Sequence, residues 1–180
     1  VTGSSAGSST RTIGVAVALP DPWGKELHDW RERLGDPDAR QIPPHVTLLP
    51  PTALPVALAE VEAHLERVAA GTTPFTLRLR GTATFRPVSP VVFVQLAQGM
   101  AECALLERAV RNGPLARDVQ FSYYPHVTVA HDLAEGDLDR AEQELAAYDA
   151  VIGIDALTLF ERDGDGWWRV LRAFPFGAPG

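Results

Sequence analysis

The tetrapeptide Pro-His-Val-Thr occurs twice, at Pro44-His45-Val46-Thr47 and at Pro125-His126-Val127-Thr128. A repeated tetrapeptide alone is weak evidence, but each copy sits at the same place in the same order of elements. In the first half, residues 12–19 are β-branched and alternate enough for a strand. Pro20-Asp21-Pro22 then opens a helix with Leu27, Trp30 and Leu34 at helical spacing, and Gly35-Asp36-Pro37 ends it. Residues 42–49 read as a short strand fenced by Pro43-Pro44 and Pro50-Pro51, which limits its ladder pairing. A second helix presents Val56, Leu58, Val61, Leu65 and Val68, and residues 75–85 alternate as a strand. The second half repeats the order, with a strand at 91–96, a helix at 100–110, the short strand at 126–130, an acidic helix at 138–148 and a strand at 152–162. A last strand at 167–176 follows the hairpin signal Asp163-Gly164-Asp165-Gly166. The chain is predicted to be an internal duplication of α+β class.

On a strand, side chains two apart share a face, so each motif presents an imidazole beside a hydroxyl. Two such strands related by a pseudo-twofold aim two imidazoles and two hydroxyls into one cleft. An imidazole with an ordinary pKa of about 6.5 is neutral or protonated near neutral pH, so one takes a proton while the other gives one. Hydroxyls donate to non-bridging phosphate oxygens, whose charge grows in the transition state. The set suits phosphoester cleavage and requires no metal. A lone histidine on a strand is ordinarily a core or surface residue; two in matched contexts argue otherwise. A histidine-based metallohydrolase fits poorly, because no His, Asp or Glu set has zinc spacing and the single cysteine, Cys103, excludes a cysteine cluster.

Composition narrows the partners. The formal net charge of the 180 residues is −7, but residues 131–165 alone hold eleven acids against Arg140 and Arg162. Residues 75–125 are net basic, through Arg78, Arg80, Arg86, Arg108, Arg111 and Arg117. A pI near 5.2 disfavours a long duplex, which wants a continuous basic stripe, and leaves a small or terminal phosphate open. No apolar run reaches the roughly 18 residues of a membrane span, and no signal-peptide pattern is visible, so a cytoplasmic monomer is expected. Residues 1–10, almost all Ser, Gly, Thr and Ala, read as a mobile tail before one domain at 11–177.

With these motifs the chain resembles the 2H phosphoesterases, whose signature is two His-x-Thr/Ser motifs, one in each lobe of a bilobal α+β fold. The resemblance runs from about Thr12 to Phe176 and is nearest to bacterial proteins called 2′-5′ RNA ligase or RNA 2′,3′-cyclic phosphodiesterase. It implies a pseudo-twofold fold with two mainly antiparallel sheets lining a central cleft and helices outside. It also implies metal-independent opening of a cyclic phosphate, or cleavage of a 2′-5′ linkage, on an RNA end or small nucleotide, with no cofactor. His45, Thr47, His126 and Thr128 carry over as the motif residues, with His126 as base toward water and His45 as acid toward the leaving ribose oxygen. Ligase-like joining belongs to the same resemblance. Where RNA-processing members carry an arginine or lysine after the second motif, this chain has His131, which reaches the cleft only if the strand ends or bulges first.

Four further residues are candidates for substrate binding. Tyr123 and Tyr124 either stack a base or serve packing and a tyrosine hydrogen bond. Arg86, in the loop between the lobes, clamps a phosphate or is solvated, and His131 is the fourth, with a surface or capping role as its alternative. Trp167 and Trp168 must point to opposite faces, one to the core and one to a rim. His28 and His64 read as exposed, and Cys103 as a small core residue. The rival class is an idle nucleotide or RNA-end binding module on the same fold.

Overall fold

Strand β1 (Thr12–Ala18) buries Ile13, Val15 and Val17 in the main core. Helix α1 (Trp23–Leu34) follows and stops at Gly35, whose φ of 80° is one that side chains rarely adopt. Strand β2 (His45–Ala53) runs further than its prolines suggested. Its register on β1 skips from Val15↔Leu49 to Ile13↔Thr52, and this bulge carries Pro50 and Pro51 out to solvent, where no ladder N–H is needed. Next come α2 (Leu58–Ala70), β3 (Phe75–Thr84), β4 (Val91–Gln98) and α3 (Met100–Val110). A 3₁₀ turn (Gly113–Leu115) leads to β5 (His126–His131), α4 (Glu135–Glu144), β6 (Asp149–Ile154), β7 (Ala156–Arg162) and β8 (Trp168–Pro175). This computed structural model describes residues 11–118 and 121–177, so the tail read for residues 1–10 lies outside the described residues.

The strands form one antiparallel sheet in the order β6-β3-β4-β5-β2-β1-β7-β8. The two expected sheets are its four-stranded halves, joined between β5 and β2 by the single register pair Val46↔Val127. The repeats exchange strands: β3, the last strand of the first repeat, pairs with β4 of the second, and β7 of the second pairs with β1 of the first. The lobes are therefore not the two halves of the sequence. The run read as one strand at 152–162 belongs to both lobes, leaving β6 at one edge of the sheet and entering β7 in the other half through Asp155 alone. One residue cannot span a flat eight-stranded sheet, so the sheet curls until its halves face each other.

Helices cover the outer face in an exchanged pattern. α1 packs under β5 and α3 under β2, so each histidine strand is backed by the helix of the other repeat. Val46 and Leu48 on β2, and Val127 and Val129 on β5, are buried on that side. Three smaller expectations change. His64 is buried, not exposed, and its Nε2 lies 3.0 Å from the Val110 carbonyl. Neither tryptophan of the 167–168 pair enters the main core: Trp167 is exposed, and Trp168 lies half-buried over Gly14, whose missing Cβ would meet its ring at 3.2 Å. Cys103 is fully buried in the core. Among the described residues no helix is long and apolar enough to cross a membrane.

Candidate active site

The Val46↔Val127 pair sets the site. With antiparallel strands and Val46 opposite Val127, His45 stands across from Thr128 and Thr47 across from His126. The burial patterns agree: in both strands a half-buried histidine and threonine alternate with fully buried residues. All four side chains therefore occupy the face away from the helices, and each histidine neighbours the other motif's threonine. The flanking strands break the symmetry. Ala18 and Ala16 lie beside His45 and Thr47, whereas Gln95 and Phe93 lie beside His126 and Thr128.

Both imidazoles are held alike. His45 Nδ1 lies 2.8 Å from the Pro43 carbonyl, and His126 Nδ1 lies 2.7 Å from the Tyr124 carbonyl. A carbonyl only accepts, so each Nδ1–H donates and each Nε2 is left bare, ready to take or return a proton. Burial pushes the proton affinity of both rings down. For His45 it is lowered to about 4, by burial first and then by the positive charge of Arg31 and the nearby His126, with the Pro43 carbonyl opposing. For His126 it is lowered by burial, against the Tyr124 carbonyl. Both rings are thus neutral near neutral pH in the free site.

The two motifs are entered differently. Before His45, Arg31 and Asp36 form a buried ion pair at 2.8 Å, and Arg31 Nη1 donates to the Ile42 carbonyl at 2.8 Å. Before His126, Tyr123 donates its hydroxyl to the Thr47 carbonyl at 2.9 Å, and Arg117 bonds the Thr52 hydroxyl. Rings then surround His126: Phe85 meets it edge-on at 4.9 Å and Phe93 lies at 5.0 Å. Tyr124 stands edge-on to Phe85 at 6.0 Å.

A cavity of about 570 Å³ opens beside Thr47 and His126. Leu48, Pro50, Phe85, Val88, Phe121 and Tyr124 give it an apolar wall, of which Val88, Phe121 and Tyr124 are exposed. Such a wall suits one flat apolar group held next to a polar reaction centre. Arg111 also borders it, but its guanidinium bonds Glu107 and the Arg117 carbonyl.

The fold brings His45, Thr47, His126 and Thr128 together and sets Tyr124 on the cavity wall. Tyr123 is spent on the Thr47 carbonyl. His131 does turn toward the cleft face, because β5 carries an extra residue between Thr128 and Ala130, so that Val129 and Ala130 both enter the core and His131 pairs with Val91. It lies beyond Thr128, with Asp132 at 3.3 Å from its Nε2, and does not line the cavity. Arg86 is not in the cleft. Its Nη1 bonds Glu135 and Asp139 and its Nη2 bonds Glu142, each at 2.8 Å, and three carboxylates around one guanidinium repel a phosphate. Sequence reasoning missed Arg31, Asp36, Phe93 and Gln95. Only strand pairing or a folded loop puts them beside the motifs, so no local signal marks them. No three His, Cys, Asp or Glu side chains gather as metal ligands among the described residues.

Comparisons with known proteins give the family and the fold. A model of the 2′-5′ RNA ligase superfamily matches residues 19–166. A Bacillus pumilus protein named "Putative phosphoesterase" is 31% identical over 163 residues, spanning 87% of this chain and 94% of that protein. The solved structure of Escherichia coli LigT complexed with 3′-AMP superposes with a TM-score of 0.63 at 19% identity, over 93% of this chain and 99% of that one. A Thermus thermophilus protein, TT0787, superposes at 0.59 with 22% identity, over 94% of this chain and 100% of that one. The chain belongs to the 2′-5′ RNA ligase superfamily and has the LigT-like fold of the 2H phosphoesterases, which indicates an activity of phosphoesterase type.

Proposed function

We propose that this protein is a phosphodiesterase that opens a 2′,3′-cyclic phosphate, or cleaves a 2′-5′ linkage, on an RNA end or small nucleotide. The observation that carries the reading is the pair of opposed His–Thr sets across Val46 and Val127, with both Nδ1 atoms capped and both Nε2 atoms bare. One Nε2 takes a proton from water as its oxygen bonds to phosphorus; the other Nε2, protonated, gives its proton to the ribose oxygen as the P–O bond breaks. Thr47 and Thr128 donate to the non-bridging oxygens. The two imidazoles and two hydroxyls supply acid, base and charge stabilisation without a metal. The apolar cavity suits a nucleobase, in keeping with LigT structures that hold 3′-AMP, ATP and NADP+.

The resemblance gives the base to His126. Burial lowers the proton affinity of both rings, so the acid is the ring that gains its proton beside the negative charge of the bound phosphate, in that order or with the roles exchanged. A p-nitrophenyl phosphodiester distinguishes them, since its good leaving group needs little protonation: the variant that lacks the acid keeps activity on it. The function itself is tested with purified protein in EDTA on nucleoside 2′,3′-cyclic phosphates and 2′-5′ dinucleotides. Turnover that vanishes in His45→Ala and His126→Ala supports it. Ligand-induced thermal stabilisation without turnover makes the protein an RNA-end or nucleotide binding module instead.

A further inference from the structure

Phe85 and Arg86 are adjacent and point to opposite faces of the sheet. Phe85 enters the cleft, where its ring meets His126 at 4.9 Å and Phe93 at 4.4 Å. Arg86 crosses to α4, which packs against β3, β4 and β5. There Glu135, Asp139 and Glu142 sit at i, i+4 and i+7, one stripe of the helix, and a single guanidinium bonds all three. Its own root is held as well, because the Thr84 hydroxyl accepts from Arg86 N at 3.1 Å and Nε at 3.2 Å while donating to the Val91 carbonyl at 2.8 Å. The segment from Phe85 to Ser89 supplies one wall of the cavity and is otherwise a tight turn closed on Phe85 and Val91.

We propose that Arg86 is a positioning residue for the cleft. By anchoring its loop to the carboxylate stripe of α4, it holds Phe85 against His126 and keeps the cavity wall in place for the flat group of the substrate. Arg86 itself touches neither substrate nor phosphate. Three of the eleven acids in the strongly acidic segment thereby acquire a purpose that charge counting alone did not reveal. The proposal rests on the phosphodiesterase reading, and its effect falls on recognition of the base rather than on the chemical step.

The test compares a nucleoside 2′,3′-cyclic phosphate with a base-less cyclic phosphodiester such as glycerol 1,2-cyclic phosphate, in wild type, Arg86→Gln, Arg86→Lys and Glu142→Gln. For the nucleotide, Arg86→Gln raises KM about fivefold to tenfold, the loss of roughly one aromatic contact, with kcat within about twofold. For the base-less ester its kcat/KM equals that of wild type. Arg86→Lys recovers part of the loss, as an ammonium keeps the charge but not the fork. Glu142→Gln, which cuts the anchor at its far end, moves KM the same way and less. An equal loss on both substrates shows a direct phosphate contact and overturns the proposal. So does a lower Tm with both KM values unchanged, which is a purely structural role. Wild type inactive on both substrates overturns the phosphodiesterase reading instead, and binding of a nucleoside 3′-monophosphate by calorimetry then still tests the wall: Arg86→Gln binds it less tightly, or the proposal fails.

Discussion

His45 and His126 lie in the same tetrapeptide, are fixed by the same kind of Nδ1 bond, and yet are entered by unlike routes. The loop before His45 is tied down by a buried ion pair between Arg31 and Asp36, whose side chains are 5% and 0% exposed. The described part of the route to His126 is tied by exposed or half-buried bonds, Tyr123 to the Thr47 carbonyl and Arg117 to the Thr52 hydroxyl, and passes an open, aromatic-lined cavity. The motif fixes tautomer and direction; its surroundings set proton affinity and open an apolar cavity on the His126 side. The asymmetry of the duplicated site comes from neighbourhoods that diverged around two like motifs.

The largest effect tests what the two motifs share. His45→Ala and His126→Ala should each lower kcat/KM on the natural leaving group by about 10²–10⁴, the usual contribution of general acid–base catalysis. Either variant retaining full rate sinks the mechanism. The next tests where they differ. Asp36→Asn leaves Arg31 buried beside a neutral partner and should destabilise the fold by about 3–5 kcal/mol in urea unfolding. A loss under about 1 kcal/mol means the His45 side is no more rigid than the other. Thr47→Val and Thr128→Val should each slow turnover by about a hundredfold to a thousandfold at unchanged fold, on the scale of losing one donor to a developing oxyanion.

Proton affinity sharpens the contrast further. In an NMR titration of the free protein, His45 should protonate near 4 and His126 below the ordinary 6.5; a ring that titrates at or above 6.5 breaks the comparison. Because the folded-state value of His45 is depressed, the unfolded chain takes up its proton first as pH falls. The associated stability is fully present above about 6.5 and is lost between there and about 4, so Tm should fall through that window. The smallest effect is at Tyr123→Phe, which removes one hydroxyl bond to the Thr47 carbonyl and should cost about 1 kcal/mol.

Much of this was legible without coordinates, for reasons that differ by element. α1 announced itself by Leu27, Trp30 and Leu34 before Gly35, and α3 by an apolar face whose bounds matched the expected ones. Bounds were missed where the cause was not local. β2 passes Pro50-Pro51 because β1 tolerates a bulge there, and residues 152–162 divide at Asp155 because the chain changes lobes. His64 reads as a polar helix residue, yet α2 turns it toward the Val110 carbonyl. Arg86 reads as a loop arginine between the lobes, but the carboxylates that claim it lie about fifty residues further along the chain.

Local chemistry sufficed for the two His-x-Thr motifs, their strands and their shared face, since period-two alternation and the tautomer-setting carbonyl two residues upstream are short-range properties. Strand exchange between the repeats, the one-pair seam at Val46 and Val127, the unlike neighbours of the two histidines and the anchoring of Arg86 all depend on residues far apart in sequence. Burial and ion pairing are properties of what surrounds a side chain, and in this duplicated chain those surroundings come largely from the other repeat.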